Sequence, residues 1–422
     1  MPSTIGHEAQ IFRAAIAALL IARCAAQLWL ERLNRRFVLT HSASVPEAFR
    51  GIIDEPTFQK SNAYTLAKNK LSQLDILLDN MVLALVLFTG ALPFFYFHFV
   101  EHFGVSSLSL AAFIFVVGLA LSLFDLPLSW YSQFRLEQRF GFNTTTQKTW
   151  WLDRFKALFL SILLGYPLLL LVLKLVDWMG DWWWFWAWVA MLGFQLIMVV
   201  LAPVLIMPLF NKFTPLPEGS LRQRLLALAD RTRFRAGSIQ VMDGSKRSRH
   251  SNAFFAGFGK FRKIVLFDTL IAQLAEPELE AVLAHEIGHY KRKHIPKMLL
   301  FSAAASLAGL YLLSVLARQD WFFRAFGFLT HGNIAIALLL FGLLSGLATF
   351  WFSPIGHWWS RRYEYQADAY ARDIMSEAQS LIGALRKLNE KNLSNLIPHP
   401  LYSGFYYSHP TMLEREEALK HS

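Results

Sequence analysis

The sequence predicts a mainly α-helical membrane protein with about seven transmembrane helices and a small α+β domain outside the bilayer. Of its 422 residues, 55% are hydrophobic and only 17% are charged, and the mean hydropathy is +0.34. Soluble domains carry about 25% charged residues. Several apolar stretches are also long enough to cross a hydrocarbon layer of about 30 Å. An ordinary soluble enzyme is therefore excluded.

The transmembrane helices are predicted from apolar stretches of about 20 residues or more. The first of them runs directly into a charged segment without a small-residue cleavage site, so we expect it to be retained. The seven predicted spans are residues 11–30, 77–99, 108–130, 155–178, 183–210, 298–317 and 334–358.

The distribution of Lys and Arg predicts the orientation of these helices, because positively charged loops tend to stay in the cytoplasm. The loops after the first and third spans are rich in Lys and Arg, whereas the loop at 101–107 has neither. With seven spans, the N-terminus then lies outside, and the long polar regions 211–297 and 360–422 lie together in the cytoplasm. Ionisable residues inside the spans, such as Arg23 and Asp125, indicate either a polar internal space or side chains that reach the interface.

The charge and cysteine content exclude several other classes of protein. The net charge is +11, but the basic residues are scattered through loops and no nucleic-acid recognition motif accompanies them. The single cysteine, Cys24, excludes an intramolecular disulfide and argues against Cys-ligated metal centres and a catalytic thiol. His, Asp and Glu remain as the available metal ligands.

The region after the fifth span predicts a small sheet beside an amphipathic helix at 217–233. Its strands are predicted at 238–242, 252–258 and 263–267. An exposed edge strand would offer unpaired N–H and C=O groups to an extended peptide. The alternative is an ordinary three-stranded sheet packed on helices, and the pattern alone does not separate the two.

A helix predicted from Glu276 onward carries the motif His-Glu-x-x-His. Its two histidines, His285 and His289, are spaced at i and i+4, which places both imidazoles on one helical face with Glu286 between them. Chance alone would produce this pattern roughly 0.016 times in a chain of this composition, so the motif predicts a zinc site.

A catalytic zinc ion needs a third protein ligand and an open position for water. A second helix, predicted just after the seventh span, offers Glu364 and Asp368 at i and i+4, and either carboxylate could coordinate. Periodicity alone is equally consistent with a solvated face beside neighbouring arginines. Spans six and seven form an outward-and-back pair, which returns this helix to the side of His285.

The predicted chemistry is peptide hydrolysis with one zinc ion per chain. Zinc would lower the pKa of its water to about 7 and polarise the scissile carbonyl, while Glu286 would take up a proton and later donate it to the amine. His409, followed by Arg415, is a candidate donor to the tetrahedral oxyanion, although a single His before Pro is more often structural. We interpret His294 and His399 as structural.

The order of these features resembles the integral-membrane CAAX prenyl endopeptidases of type I, which are zinc metalloproteases that trim prenylated C-a-a-X proteins. The likeness spans nearly the whole chain and is strongest from residue 208 onward. The matching stretches are 208–216, 244–248, 251–253, 264–270, 285–289, 364–368, 408–410 and 413–415.

This resemblance implies that Glu364 is the third zinc ligand and that Asp368 is the carboxylate behind a ligating histidine. It also implies that Asn252 and Ala253 belong to an edge segment that holds the substrate backbone. His409 and Arg415 would be a pair of side chains beside the zinc. The family's fold implies seven long helices around a large intramembrane chamber, and its substrates are peptides with a hydrophobic or prenylated C-terminal segment.

These predictions divide the chain into four parts. Residues 1–210 hold the first five spans, 211–297 the metalloprotease domain, 298–358 spans six and seven, and 359–422 the segment with the third ligand. The short loops and the absence of an ER-retention ending indicate a bacterial inner membrane, with the endoplasmic reticulum as the eukaryotic alternative.

Three other functions are weighed against this one. They are an intramembrane-cleaving protease, a heat-shock-type quality-control metalloprotease without prenyl substrates, and a metal transporter. The charges at 276–297 argue against placing that helix in the bilayer core. A transporter has no need of Glu286 between the two ligands.

Overall fold

The computed structural model describes residues 6–234, 238–256, 263–329 and 332–421. The predicted class is confirmed: the chain is mainly helical and carries one small sheet. Three π-helical turns, at Ser132–Glu137, Ser161–Gly165 and Ala202–Ile206, join α4 to α5, α6 to α7 and α8 to α9. The helices of the first half are α1 (His7–Thr40), α2 (Glu55–Phe88), α3 (Ala91–Phe103), α4 (Ser107–Tyr131), α5 (Gln138–Phe140), α6 (Gln147–Leu160), α7 (Tyr166–Met179), α8 (Trp183–Leu201) and α9 (Met207–Phe210).

The second half contains the sheet and the helices that surround it. Its helices are α10 (Ser220–Arg231), α11 (Asp268–Gln273), α12 (Glu276–Lys291), α13 (His294–Leu316), α14 (Asp320–Arg324), α15 (Ile334–Met375), α16 (Gln379–Lys391), α17 (Pro400–Tyr406) and α18 (Met412–His421). Its strands are β1 (Phe213–Pro215), β2 (Ser238–Met242), β3 (Ala253–Ala256) and β4 (Lys263–Phe267).

Six helical stretches of the described residues are long and apolar enough to cross a membrane. One of them, Gln147–Phe210, has 64 residues and would measure about 100 Å as a single helix, which is far more than a bilayer requires. Gly180 interrupts it with φ 52°, and α7 packs against α8, so the chain reverses there. This stretch therefore holds two spans, which brings the number to the predicted seven.

The second span differs from its predicted position at 77–99. It lies in α2, which begins after Asp54, whose carboxylate accepts a hydrogen bond from the backbone N–H of Thr57 at 2.9 Å. The helix ends at Phe88, because the chain turns at Gly90 with φ 81° before the short helix α3. Since α3 is apolar as well, hydropathy does not reveal this break.

Ionisable side chains inside the spans share a polar cavity, one of the two possibilities that the sequence left open. The guanidinium of Arg23 donates to Oδ1 of Asn80 at 3.2 Å. Arg23 also lines a cavity of about 380 Å³ together with Asp75, Asp79 and Asp125. These charged groups therefore face one another across a common space between α1, α2 and α4.

The sheet has four strands in the order β1-β2-β4-β3, so one more strand, β1, joins the three that were predicted. β2 and β4 are parallel, and the other pairs are antiparallel. Within the described residues, β3 has a partner on one side only. The strand predicted at 252–258 is observed as Ala253–Ala256, and its predicted residues 257 and 258 lie outside the described residues. The helix predicted at 217–233 is observed as α10.

The helix predicted after the seventh span is not a separate element. α15 continues without a break for 42 residues, which corresponds to about 63 Å, or twice the thickness of a hydrocarbon core. Its apolar first half spans the membrane and its polar second half extends beyond the membrane. The helix ends where Ser376 adopts the left-handed conformation, with φ 58°.

A hydrophobic core outside the membrane fixes α12 in its place. Leu279, Leu283 and Ile287 of α12 are buried in one cluster with Ile264 and Leu266 of β4. Buried leucines of α10 and α16 complete this core. Ala371 of α15 is buried in the same core, which therefore also holds α12 against α15.

Candidate metal centre and active site

The close approach of α12 to α15 depends on Gly288. A Cβ atom at this position would lie 2.9 Å from Cα and 3.0 Å from the carbonyl oxygen of Ala367, and 3.2 Å from Cβ of Tyr370. Only glycine permits such a contact without moving the backbone. Gly288 lies between the two histidines of the motif and next to His289, so this contact sets the distance between those histidines and the side chains of α15.

Three side chains from these two helices bring their ligand atoms together. Nε2 of His285 lies 3.1 Å from Nε2 of His289. The carboxylate of Glu364 lies 3.4 Å from Nε2 of His285 and 3.3 Å from Nε2 of His289. His285 and Glu364 are buried, whereas His289 is partly exposed. Asp368 is not part of this cluster.

The geometry of the cluster fits a tetrahedral metal ion. Atoms bound to zinc at about 2.0–2.1 Å in tetrahedral geometry stand about 3.3 Å apart, close to the separations above. Among the described residues, Oε2 of Glu364 is buried without a hydrogen-bond partner. A buried carboxylate oxygen normally has a partner, and a cation would supply it here.

Asp368 and Arg415 lie behind His285. Oδ1 of Asp368 lies 2.7 Å from Nδ1 of His285. The guanidinium of Arg415, on α18, donates to both oxygens of Asp368, at 2.8 Å from Nε and 2.5 Å from Nη2. This bidentate pair holds the carboxylate of Asp368, which in turn orients the imidazole of His285.

The neighbours of His285 also control its charge. Burial disfavours the charged imidazole, but the neighbouring carboxylates of Asp368 and Glu364 outweigh burial and raise the pKa of His285 to about 9. In the metal-free protein this imidazole therefore keeps its proton at neutral pH, and a metal ion has to compete with that proton.

Glu286 follows His285 directly and is partly buried on α12. Burial raises the pKa of its carboxyl group above the ordinary value. A carboxylate whose pKa is raised is a better proton acceptor than one in water, which suits a general base. Glu286 is not part of the ligand cluster.

His409 approaches the cluster from the other side. Its Nε2 lies 3.4 Å from Oε1 of Glu364, and its Nδ1 lies 3.0 Å from Oγ of Ser408. Most of its side chain is exposed, at 64%, and burial of the remainder lowers its pKa. His409 also lines a cavity of about 680 Å³ together with Arg361. The structure thus brings His409 to the cluster, with one face open to a space large enough for several residues of peptide.

Asn252 and Ala253 lie at the start of the edge strand β3, which packs against α12. The backbone carbonyl of Asn252 accepts a hydrogen bond from the N–H of Phe267 at 3.2 Å, and Ala253 pairs with Leu266 of β4. The side-chain oxygen of Asn252 accepts from the N–H of Ala253 at 2.8 Å. The predicted edge segment is therefore next to the helix of the motif.

The basic segment before β3 is tied to the membrane helices. Arg247 makes a bidentate ion pair with Asp153 of α6, at 2.8 and 3.0 Å, and donates to Oδ1 of Asn211 at 2.9 Å. Nε2 of His250 lies 3.3 Å from Oε2 of Glu137. These contacts hold β3 on the membrane part of the protein, and no spacing in the sequence indicated them.

Two family models match consecutive parts of the chain. The first describes the CAAX prenyl protease N-terminal region of five membrane helices and matches residues 34–212. The second describes peptidase family M48 and matches residues 215–422. The second match contains every residue of the cluster described above.

Similar proteins match nearly the whole chain. It is 37% identical over 419 residues to CAAX prenyl protease 1 of Saccharomyces cerevisiae, covering 91% of this chain and 90% of the relative. It is 33% identical over 459 residues to the CAAX prenyl protease 1 homolog of Homo sapiens, covering 96% and 94%. The crystal structure of Ste24p from S. mikatae is similar with a TM-score of 0.90 and 35% identity, over 97% of this chain and 99% of that chain. The transporter and quality-control alternatives are not favoured by these matches.

Proposed function

Because the chain belongs to peptidase family M48 and is therefore a multi-pass membrane metalloendopeptidase, we propose that it cleaves peptides near a prenylated or otherwise hydrophobic C-terminus. The names of its relatives support the substrate class, since they are CAAX prenyl proteases. The observation that carries the proposed chemistry is the cluster of His285, His289 and Glu364, with its ligand atoms 3.1–3.4 Å apart.

One zinc ion is the metal that we propose for this cluster. Two imidazoles and one carboxylate are a ligand set of catalytic zinc, and four-coordinate geometry leaves one position open. When bound, zinc supplies Lewis acidity, which acidifies a water molecule and polarises a carbonyl group. Asp368 and Arg415 hold His285 in the orientation in which Nε2 faces the cluster.

Glu286 carries the proton in this proposal. Its carboxylate takes a proton from the attacking water and returns it to the amine that leaves when the peptide bond breaks. His409 lies beside Glu364, where it can donate a hydrogen bond to the negative charge that develops on the carbonyl oxygen. Arg415 donates to Asp368 through Nε and Nη2, and its Nη1, 3.8 Å from Oε2 of Glu364, is the donor that it can direct towards the same charge.

The substrate backbone is proposed to lie along β3. An extended peptide can add to the free side of this edge strand through main-chain hydrogen bonds, which bind sequences of many kinds. Asn252 and Ala253 lie at the end of β3 where the chain enters the strand. The cavity beside His409 offers room for the part of the peptide beyond the cleaved bond.

We also propose the orientation of the protein in the membrane, the division of its chain and its cellular location. We propose that the metal cluster faces the cytoplasm, as the positive loops predict. The four-part division at residues 210, 297 and 358 is also proposed, and the change of family model between 212 and 215 supports its first boundary. The named relatives are eukaryotic, which favours the endoplasmic reticulum over the bacterial inner membrane as the proposed location.

The substrate class is tested with purified protein in lipid vesicles and a mixed library of prenylated and unmodified peptides, whose products are read by mass spectrometry. We expect cleavage near the C-terminus with a preference for lipidated peptides, loss of cleavage with a chelator, and recovery when zinc is added back. Undiminished cleavage in the presence of the chelator would contradict the metal chemistry. Equal cleavage of lipidated peptides and of unmodified peptides with polar C-termini would contradict the substrate class alone.

A further inference from the structure

His294 lies directly behind the metal cluster, although from the sequence alone we interpret it as structural. It is the first residue of α13 and is 1% exposed. Lys293 precedes it in the left-handed conformation, with φ 56°, and turns the chain back towards α12. As a result, Nδ1 of His294 lies 3.0 Å from Nδ1 of His289. Its other ring nitrogen, Nε2, lies 3.0 Å from Oε1 of Gln366.

The proposed metal site, together with these distances, assigns a proton to one nitrogen of each ring. Nε2 of His289 faces the cluster and needs its lone pair for a metal ion, so the proton of this ring is on Nδ1. A buried N–H requires an acceptor, and Nδ1 of His294 is in position to be one. His294 then carries its own proton on Nε2, where the amide oxygen of Gln366 accepts it.

Packing holds the ring of His294 in the orientation that this chain of hydrogen bonds requires. The ring of Tyr363 stacks on it with the centroids 4.0 Å apart and the planes inclined by 12°. Tyr363 and Gln366 lie on α15, on either side of Glu364. The helix that supplies the carboxylate of the cluster therefore also holds the residue behind His289.

We propose that His294 is the positioning residue for His289: it accepts the Nδ1 proton of His289 and thereby keeps Nε2 of that ring free and directed at the metal. This inference rests on the proposed metal centre. It assigns a different partner to each histidine of the motif, a carboxylate for His285 and a neutral imidazole for His289. Such partners of metal-bound histidines typically change metal affinity by about 10- to 100-fold when they are removed.

The test compares two substitutions of His294 by zinc affinity, measured by competition with a chromophoric chelator. His294→Phe keeps an aromatic ring against Tyr363 but removes the acceptor, so we expect zinc affinity to fall by about 10- to 100-fold. His294→Asn keeps an acceptor, because Oδ1 of asparagine stands as many bonds from Cβ as Nδ1 of histidine does. We expect its zinc affinity to stay within a few-fold of the wild-type value.

His399→Phe is the matched control, since His399 caps α17 and its Nδ1 accepts from the N–H of Leu401. We expect it to leave zinc affinity unchanged. Thermal unfolding of the metal-free proteins shows whether His294→Phe is folded. Equal zinc affinity in the wild type and His294→Phe, or equal losses in His294→Phe and His294→Asn, would overturn the positioning role. A wild-type protein that binds no zinc would overturn the metal centre itself.

Discussion

Glu286 is the residue whose proposed role is easiest to separate from metal binding, because it belongs to the motif but not to the ligand cluster. In Glu286→Gln the side chain keeps its size and loses its ability to take up a proton. We expect kcat to fall by about 10²- to 10⁴-fold, the usual contribution of a general base, while zinc affinity stays unchanged. Peptide hydrolysis and zinc content, measured on the same preparation, check both parts.

Glu276→Gln is the matched control for this variant. Glu276 lies on the same helix and its Oε1 accepts a hydrogen bond from Ser220 at 2.5 Å, which glutamine can preserve. Its kcat should equal that of the wild type. If Glu286→Gln hydrolysed peptides at the wild-type rate, Glu286 would not be the base.

Asp368 is expected to act on the metal through His285. In Asp368→Asn, a neutral amide replaces the carboxylate that accepts from Nδ1 of His285, and it no longer forms an ion pair with Arg415. We expect zinc affinity to fall by about 10- to 100-fold. Asp373→Asn, on the same helix and in an exposed position, serves as the control and should bind zinc as the wild type does. An unchanged zinc affinity in Asp368→Asn would remove Asp368 from the centre.

The spacing of His285 and His289 could be predicted because it is a property of one helix. Periodicity could not choose between Glu364 and Asp368, since both lie on one face of α15 at i and i+4, and only the family resemblance implied Glu364. Which of them reaches the histidines depends on how closely α15 approaches α12, and only the packed structure contains that distance. His294 was missed for the same reason, because the turn at Lys293 brings it back behind His289.

Gly288 is expected to control how closely α12 and α15 pack. In Gly288→Ala the added Cβ would stand 2.9 Å from Cα of Ala367, so the two helices have to separate. Overpacking of this kind typically costs about 1–3 kcal/mol of stability. We expect a lower thermal unfolding temperature together with weaker zinc binding, because Glu364 moves away from the histidines.

Gly356→Ala provides the comparison for that variant. Gly356 lies on α15, and nothing in the described residues stands within 4 Å of an added Cβ. Alanine should leave zinc affinity unchanged and stabilise the helix by about 0.5–1 kcal/mol. Wild-type zinc affinity in Gly288→Ala would show that the helix contact does not set the ligand distances.

The edge strand β3 leads to a prediction about the substrate. If a peptide adds to β3 as a strand, alternate N–H groups of the peptide point towards β3 and the others point away. Methylation of a peptide nitrogen that points towards β3 should lower kcat/KM by about 2- to 10-fold, the value of one hydrogen bond. Methylation of its neighbours should have less effect, so a scan along the peptide should alternate with a period of two. A scan without this alternation would contradict binding as a strand.

Two elements show where hydropathy stops being informative. The break between α2 and α3 at Gly90 falls inside a continuous apolar stretch, because both helices are apolar and only the backbone conformation changes. At the end of the seventh span the side chains change and the backbone conformation does not. The side chains become polar after Trp358, but the backbone of α15 remains helical as far as Met375. Hydropathy locates the bilayer, and it does not locate the ends of helices.

The proposed centre requires that the chain enter the sixth span, α13, and leave the seventh span, in α15, on the same face of the membrane. α12 supplies two ligands before the sixth span, and α15 supplies the third after the seventh. On the other face, the guanidinium of Arg318, after α13, pairs with Asp181, between α7 and α8, at 2.9 Å. This contact joins the loop after α7 to the loop after α13, and the seven-span topology places both loops on that face. The whole topology can therefore be tested from either side of the membrane.

Cysteine labelling in sealed vesicles tests this topology, and the chain is suited to it because Cys24 is its only cysteine. On a Cys24→Ser background, we expect Lys246→Cys and Glu417→Cys to react with a membrane-impermeant maleimide from one side. Glu101→Cys and Asp181→Cys should react only from the other side. All four positions are exposed, so permeabilised vesicles should label all of them and report any failure of reactivity. If Lys246→Cys and Glu417→Cys reacted from opposite sides, the polar regions that hold α12 and α18 could not form one site.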